Sequence, residues 1–459
     1  MTDDGYHGYT QGRSHIWNAE TVRDIHAKAQ LGRYQIRGFS TFKRFPSLDE
    51  LVFLPAVMTR LPLEGYREHC ETRTLIGDGK PDLVARPLDL AFPVYLTSMS
   101  FGALGTNAKQ ALGMGFTRAG LATCTGEGGM LPEEREASER LVYQMTPSRY
   151  GLDLEHLRMA DAIEIVIGQG AKPGTGGLLL GMKVSEKVAA MRTLPVGVDQ
   201  RSPVRHPDFL GADDLSVKIE ELREATDYQV PIILKLAACR VEQDVKIAAK
   251  TECDAIVIDG TEGATAASPE FQLDHCGIPL LAAIPAARRA LEDVGMFGKI
   301  PLIASGGIRN GVDAAKALAL GADCVAIGTA ALIALGCNAP YYTPVGGGEG
   351  DPNPDYTALG TAAGACHHCH TGRCPVGITT QDPELEWRLD PELGAQRVHN
   401  FLTSMYMEMT VIAKSCGKRN VHNLEPEDLR AVSLEASAMT GVPLAGVDWA
   451  VGPGTFGGA

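Results

Sequence analysis

The 459-residue chain reads as an α/β protein built on a (β/α)8 TIM barrel, with an N-terminal extension and a helical C-terminal appendage. Three observations carry that expectation. Short β-branched runs recur, each followed by a glycine-rich or polar loop and then by apolar residues at helical spacing. Eight such runs can be counted, the number a closed parallel barrel needs. The last two end in Ser305-Gly-Gly-Ile-Arg and Ile327-Gly-Thr-Ala, where barrels of this kind place a phosphate site.

Taken in order, residues 1–90 mix polar and apolar positions and read as an extension packed on the barrel, which is expected over 91–335. Its strands are expected at 93–98, 121–125, 141–145, 162–167, 231–236, 255–259, 301–305 and 324–328. Segments 216–226 and 312–320 carry the amphipathic pattern of the outer helices. The gap at 192–215 holds Pro195, Pro203 and Pro207 and reads as an insertion over the barrel mouth. A cysteine loop occupies 336–380 and includes the glycine-rich stretch 343–354, expected to be flexible. In the appendage, 381–459, the segments 391–414 and 426–440 read as helical.

Composition excludes several function classes. With 44% hydrophobic and 21% charged residues, the chain can bury a large core. A net charge of -14 gives no electrostatic footprint for nucleic acid or for an anionic membrane, so neither is expected as a partner. The opening MTDDGYHGYT lacks a basic and an apolar leader region, and no apolar run approaches the roughly 20 residues of a membrane span. The cytoplasm is the expected location. Of eleven cysteines, Cys70, Cys124, Cys239, Cys253, Cys276, Cys324 and Cys416 are scattered singly and are expected as small buried apolar residues.

The remaining four carry chemistry. Cys366, Cys369 and Cys374 form a C-x2-C-x4-C run closed by Pro375, three soft ligands in one loop, with Cys337 upstream as a further donor. Such a set suits an iron–sulfur cluster. A zinc knuckle using the interleaved His367, His368 and His370, or unliganded thiols, are the competing readings. Backbone N–H groups around Ser305, Gly306, Gly307, Gly328 and Thr329, at two adjacent helix starts, are expected to converge on one phosphate. A flavin phosphate there would lay the ring system against Ser98, Met99 and Ser100. Lys235, an ammonium among apolar strand residues, would then stabilise reduced flavin. Gln169, Lys172, Arg192 and Glu127 are the polar groups left for a substrate, the two cations for carboxylates and Glu127 for an amine or a proton.

Ser98-Met-Ser-Phe-Gly-Ala, Thr125-Gly-Glu-Gly-Gly, Gln169-Gly-Ala-Lys-Pro-Gly, Ser305-Gly-Gly-Ile and Cys374-Pro-Val-Gly-Ile-Thr-Thr-Gln together resemble the synthase domain of glutamate synthase, over roughly residues 90–380. The resemblance implies a barrel carrying FMN beside a 3Fe-4S cluster, reducing 2-iminoglutarate to glutamate. It assigns Ser98, Met99, Ser100, Gln169 and Lys235 to the flavin, Ser305, Gly306, Gly307, Gly328 and Thr329 to its phosphate, and Lys172 and Arg192 to the carboxylates of 2-oxoglutarate.

Departures from the family pattern sharpen the reading. Gly176-Gly-Leu stands where the family has Gly-Gly-Gln, and Ala363 stands where its first cluster cysteine falls, with Cys366 closer in. Three thiols favour 3Fe-4S, and recruiting Cys337 permits 4Fe-4S. No amidotransferase region with an N-terminal cysteine and no dinucleotide domain is recognised, so amidotransferase-like and glutamate-synthase-tail-like subunits are expected in a hetero-oligomer. A free-standing barrel with Ser202-Pro-Val-Arg-His-Pro-Asp and His422-Asn-Leu-Glu-Pro-Glu-Asp-Leu resembles the N-methylglutamate synthase (methylamine–glutamate N-methyltransferase) branch. That implies N-methylglutamate made from glutamate and methylamine, through an imine of 2-oxoglutarate reduced by the flavin. The alternatives are an ammonia-using glutamate synthase and a non-catalytic electron-relay subunit.

Overall fold

The computed structural model describes residues 16–340, 353–447 and 449. Eight parallel strands form the core: β1 (Val94–Leu96), β2 (Ala122–Cys124), β3 (Arg140–Met145), β4 (Ala162–Val166), β5 (Ile232–Ala237), β6 (Ala255–Asp259), β7 (Leu302–Ser305) and β8 (Cys324–Ile327). Their hydrogen-bonded order is β1-β8-β7-β6-β5-β4-β3-β2, and β1 lies against β2 to bring the sheet round. Every expected strand is present. They read as nearly unbroken apolar runs because both faces are covered, one by the barrel interior and the other by helices.

A helix follows each strand, among them Thr106–Arg118 after β1, Gly311–Leu320 after β7 and Thr329–Leu335 after β8. The expected helices at 216–226 and 312–320 lie within Ala212–Ala225 and Gly311–Leu320. The appendage opens with the short helix Pro383–Glu386 and continues in the long helix Pro391–Ser415, which Asp390 caps and which packs on Thr106–Arg118 and Gly311–Leu320.

One tail segment departs from expectation. The stretch 426–440 is not helical throughout: Leu429–Ala431 is a strand paired antiparallel with Leu51–Phe53, and only Leu434–Thr440 is α-helix. Leu429 and Ala431 are buried while Arg430 between them is half-buried, an alternation of period two that a strand satisfies and a helix does not. Among the lone cysteines, Cys70, Cys124, Cys253, Cys324 and Cys416 are buried as expected, whereas Cys239 is exposed and Cys276 partly so. Both sit in loops above the strands rather than in the core. The opening ten residues and most of the glycine-rich stretch 343–354 lie outside the described residues.

The N-terminal extension is tied to both ends of the barrel. At the upper end Ile36–Phe39 pairs antiparallel with Thr265–Pro269, an extra strand inserted after β6. At the lower end Arg223 donates to Asp254 Oδ1 at 2.9 Å, to Glu252 O at 2.9 Å and to Leu83 O at 3.3 Å. Asp254 Oδ2 in turn accepts the Ile232 N–H at 2.8 Å, which fixes the starts of β5 and β6. No helix among the described residues is long and apolar enough to cross a membrane.

Arg223 and Asp254 are both buried, so removing the cation strands a carboxylate that water cannot reach. Arg223→Met should lower unfolding stability by about 3 kcal/mol in denaturant titrations. An unchanged midpoint would show that Lys80, 3.6 Å from Asp254 Oδ1, already suffices as its counterion.

Candidate functional site

One cavity of about 1010 Å3 opens at the C-terminal ends of the strands. The residues expected to hold flavin, substrate and cluster border it: Ser98, Met99 and Ser100 after β1, Glu127 after β2, Gln169 and Lys172 after β4, and Arg192 below the insertion. Lys235 in β5, Ser305, Gly306 and Gly307 from the end of β7, Gly328 and Thr329 after β8, and Cys337, Cys366, Cys369 and Cys374 complete the wall.

At one end lie the glycine loops. Gly306 and Gly307 have φ of +100° and +79°, a region that costs an L-residue strain, so the loop that borders this end carries no side chains of its own there. Gly328 leads into Thr329–Leu335, whose first turn no side chain caps. The expectation of two helix starts meeting at one anion needs correction. The helix after β7 begins only at Gly311, where Asn310 caps it and Glu408 Oε2 takes the Gly311 N–H at 2.7 Å. That helix end is already satisfied, so on this side the open donors belong to the glycine loop.

Lys235 occupies the centre. Its Nζ donates to Thr97 Oγ1 at 3.0 Å and Ser98 Oγ at 3.4 Å and lies 3.9 Å from Asp259 Oδ2. Burial opposes its charge, but the Asp259 and Glu164 carboxylates outweigh burial and raise its pKa above the ordinary lysine value. Beneath it Glu164, fully buried inside the barrel, accepts from Gln144 Nε2 at 2.7 Å and Tyr95 OH at 3.3 Å. Lys109, from the helix after β1, donates to Met99 O at 2.6 Å and Thr125 O at 3.0 Å and pairs with Glu134 at 2.5 Å. It holds the loops after β1 and β2 in place from below.

The polar corner lies between β2 and β5. Lys172 donates to Ala267 O at 2.9 Å, and burial lowers its pKa to about 8 against the pull of Glu127. Glu127 Oε1 accepts from Ser202 at 2.5 Å and Ser148 at 2.6 Å, while its Oε2 faces the Gly177 backbone without a hydrogen bond among the described residues. Arg192 spends its donors on Phe101 O at 2.9 Å, Gln200 Oε1 at 3.1 Å and Glu127 O at 3.2 Å, leaving Nε buried and unpartnered. It braces the loops around the corner as well as bordering it. The insertion does cover the mouth: Ser202 reaches Glu127, His206 Nε2 donates to Val166 O at 2.7 Å, and Gln200–Arg201 pairs with Leu178–Leu179. In that hairpin Leu178 and Leu179 both border the cavity, and Leu179 also joins a small apolar cluster.

The cysteine wall closes the other end. Asn338 links two of its parts, donating to Cys337 Sγ at 3.6 Å and to Cys366 O at 3.4 Å while accepting the Cys366 N–H at 2.9 Å. Burial raises the thiol pKa values of Cys337, Cys366 and Cys369, that of Cys369 to about 11. Of the interleaved histidines, His368 borders the cavity and stacks on His367 at 4.5 Å, and His370 Nδ1 is buried without a partner. Among the described residues no three His, Cys, Asp or Glu side chains are gathered to hold a single ion. The soft, all-thiol donor set suits a multi-iron cluster.

Two basic residues of this region were not anticipated. Lys183 is 1% exposed and donates to Ala103 O at 2.8 Å and Cys369 O at 2.9 Å, joining the loop after β1 to the cysteine wall. Lys109 shares a helix face with Leu112 and Phe116, three and seven residues on, so its burial was readable from helical spacing. Lys183 follows Leu-Gly-Met in a 3-10 turn and carries no such signal.

The conserved region in glutamate synthase matches residues 40–342 and 357–419. A "glutamate synthase large subunit-like protein" of Rhizobium meliloti (strain 1021) is 51% identical over 453 residues, covering 98% of this chain and 100% of its own. An "archaeal glutamate synthase (NADPH)" of Methanocaldococcus jannaschii is 35% identical over 449 residues, covering 92% of this chain and 83% of its own. Among solved structures, a putative lactate oxidase of Pediococcus acidilactici superposes with a TM-score of 0.50 at 14% identity, covering 84% of each chain, a likeness of fold alone. The family match over most of the chain and two full-length relatives place the same conclusion on the motifs and on the barrel: the chain belongs to the glutamate synthase family.

Proposed function

We propose that this chain is the synthase subunit that forms N-methylglutamate from methylamine and a 2-oxoglutarate carbon skeleton, with FMN and an iron–sulfur cluster bound in the cavity described above. The observation that carries the reading is the continuity of that cavity, which runs from the glycine loops past Lys235 and the Lys172–Arg192–Glu127 corner to four thiols. FMN fits the glycine loops and the Thr97–Ser98–Lys235 cradle, and when bound it supplies hydride-transfer chemistry to an imine carbon. Cys366, Cys369 and Cys374 would hold the cluster, with Cys337 beside them as a fourth thiol.

The chain's own residues divide the work. Lys172 and Arg192 anchor the two carboxylates of the keto acid. Glu127 Oε2 takes a proton from the incoming methylammonium, freeing the amine to attack the carbonyl, and returns one to the departing hydroxyl as water leaves. Lys235 balances negative charge on reduced flavin. Amidotransferase-like and glutamate-synthase-tail-like subunits would complete the enzyme, and oxidation of glutamate to 2-oxoglutarate would supply the two electrons that the imine takes up.

Leu178, which borders the cavity where the family has glutamine, favours methylamine, because it removes one amide from the substrate pocket. The name of the archaeal relative favours ammonia. Product analysis with methylamine and ammonia in competition decides: N-methylglutamate in excess supports the first reading, and glutamate alone the second. No turnover of either would leave a relay subunit.

Two further outcomes are expected. Carboxylate binding needs Lys172 as an ammonium, and that form is lost as pH rises through about 8. The dissociation constant of 2-oxoglutarate, read from the flavin spectrum, should therefore rise above that pH. Lys172→Met should weaken binding about 10- to 100-fold and flatten this pH dependence. Cys369→Ser should remove iron and sulfide, since a hydroxyl is a hard substitute for a thiolate, while Cys337→Ser should spare a 3Fe-4S cluster. Zinc found in place of iron would overturn the cluster reading.

A further inference from the structure

The N-terminal extension crosses the glycine-loop end of the cavity as a strap. It leaves the Ile36–Phe39 strand at Phe39, whose φ of +73° turns the chain off the hairpin. Asp274 then fixes it by accepting from Arg37, from Thr41 Oγ1 at 2.9 Å and from the Phe42 N–H at 2.9 Å, and Ser40 Oγ donates to Glu262 O at 2.5 Å. On the far side Asp49 grips Arg309 at 2.6 and 2.7 Å, and Lys316 donates to Leu48 O at 2.8 Å. Both anchorages flank the Gly306–Gly307 loop: Glu262 lies against Gly307, and Arg309 follows it by two residues. Residues 43–47 span the interval.

Charge is short where a phosphate would sit. Arg309, the cation of the glycine loop, is neutralised by Asp49 and by Asp313, which accepts from it at 2.7 Å. Lys43 on the strap is engaged by His275 Nδ1 at 2.8 Å. Lys172, Arg192, Lys235 and Arg397 lie in other parts of the cavity and are engaged there. Glu262, the acid nearest Gly307, has its carboxylate turned to the Leu280 N–H, and burial raises its pKa to about 7, which relieves repulsion of an anion. Arg44 is different. It borders the cavity, is exposed, and has no carboxylate partner among the described residues.

We infer that Arg44 is a phosphate ligand of the flavin, supplied from the strap, and that the N-terminal extension is thereby part of the cofactor site. This rests on the flavin reading of the cavity. The guanidinium supplies the charge that the glycine loops, which offer only neutral N–H donors, do not.

The test is flavin binding to deflavinated full-length protein, followed by fluorescence quenching with FMN and with riboflavin, which lacks the phosphate. Arg44→Gln should weaken FMN binding about 10- to 100-fold and leave riboflavin unchanged, with Arg44→Lys recovering part of the loss. The wild-type preference for FMN should also shrink with added salt more steeply than that of the glutamine variant. Equal FMN affinity in wild type and Arg44→Gln would overturn the assignment. So would an equal loss for both flavins, which would mean that the residue only holds the strap. Wild-type protein that binds riboflavin as tightly as FMN would bring down the flavin-phosphate reading itself, and the role of Arg44 with it.

Discussion

Asp259 joins the two halves of the cavity, and the arrangement of the others depends on it. One of its carboxylate oxygens lies 3.9 Å from Lys235 Nζ and also accepts the Gly170 N–H at 2.8 Å. The first contact keeps a lysine charged inside a barrel, where burial alone would favour loss of its proton. The second pins the loop after β4, which delivers Lys172 two residues later. The ammonium at the centre and the cation of the polar corner are thus referred to the same carboxylate at the end of β6. Disturbing Asp259 would reach both, whereas disturbing Lys172 would leave Lys235 in place.

Four lysines around this cavity, Lys109, Lys172, Lys183 and Lys235, are each at most 4% exposed, in a chain whose net charge is -14. A buried ammonium is costly unless its donors are satisfied, and each of these finds backbone carbonyls, hydroxyls or a carboxylate. Their environments differ. Carboxylates near Lys235 raise its pKa, while burial dominates at Lys172 and Lys183 and lowers theirs to about 8. Carboxylates offset two of these cations, Glu134 at Lys109 and Asp259 at Lys235, so the charge of the mouth is set locally although the molecule as a whole is acidic. This also separates functions: Lys235 holds its charge across the neutral range, and Lys172 is poised to respond to an arriving carboxylate.

What was legible in the sequence follows the range of the interactions. Eight strands could be read because burial on both faces leaves short apolar runs that no other element produces so regularly, and the loops after them carried their glycines, Lys172 and Lys235 with them. The cysteines were legible because their spacing is local. The helix after β7 was read at 312–320, close to its real bounds, but the partner of its first N–H, Glu408, lies almost a hundred residues away and left no local signal that this helix start is occupied. The strand Leu429–Ala431 was read as helix because its partner, Leu51–Phe53, lies near the other end of the chain. The strap with Arg44 was read only as packing for the same reason: its anchors, Asp274, Glu262 and Arg309, are more than 200 residues distant in sequence.

The strap and the cysteine wall are not independent. Gly38 donates its N–H to His367 O at 3.1 Å, and a Cβ there would fall 2.9 Å from Cys369 Cβ and 2.7 Å from Ala266 O. Only glycine lets three segments meet so closely: the start of the strap, the cysteine loop and the hairpin after β6. Lys183 ties that loop to the residues after β1 through Cys369 O and Ala103 O. The N-terminal extension, which contributes no strand to the barrel, therefore touches the cysteine loop at Gly38 and the glycine-loop end of the cavity at Ser40 and Asp49.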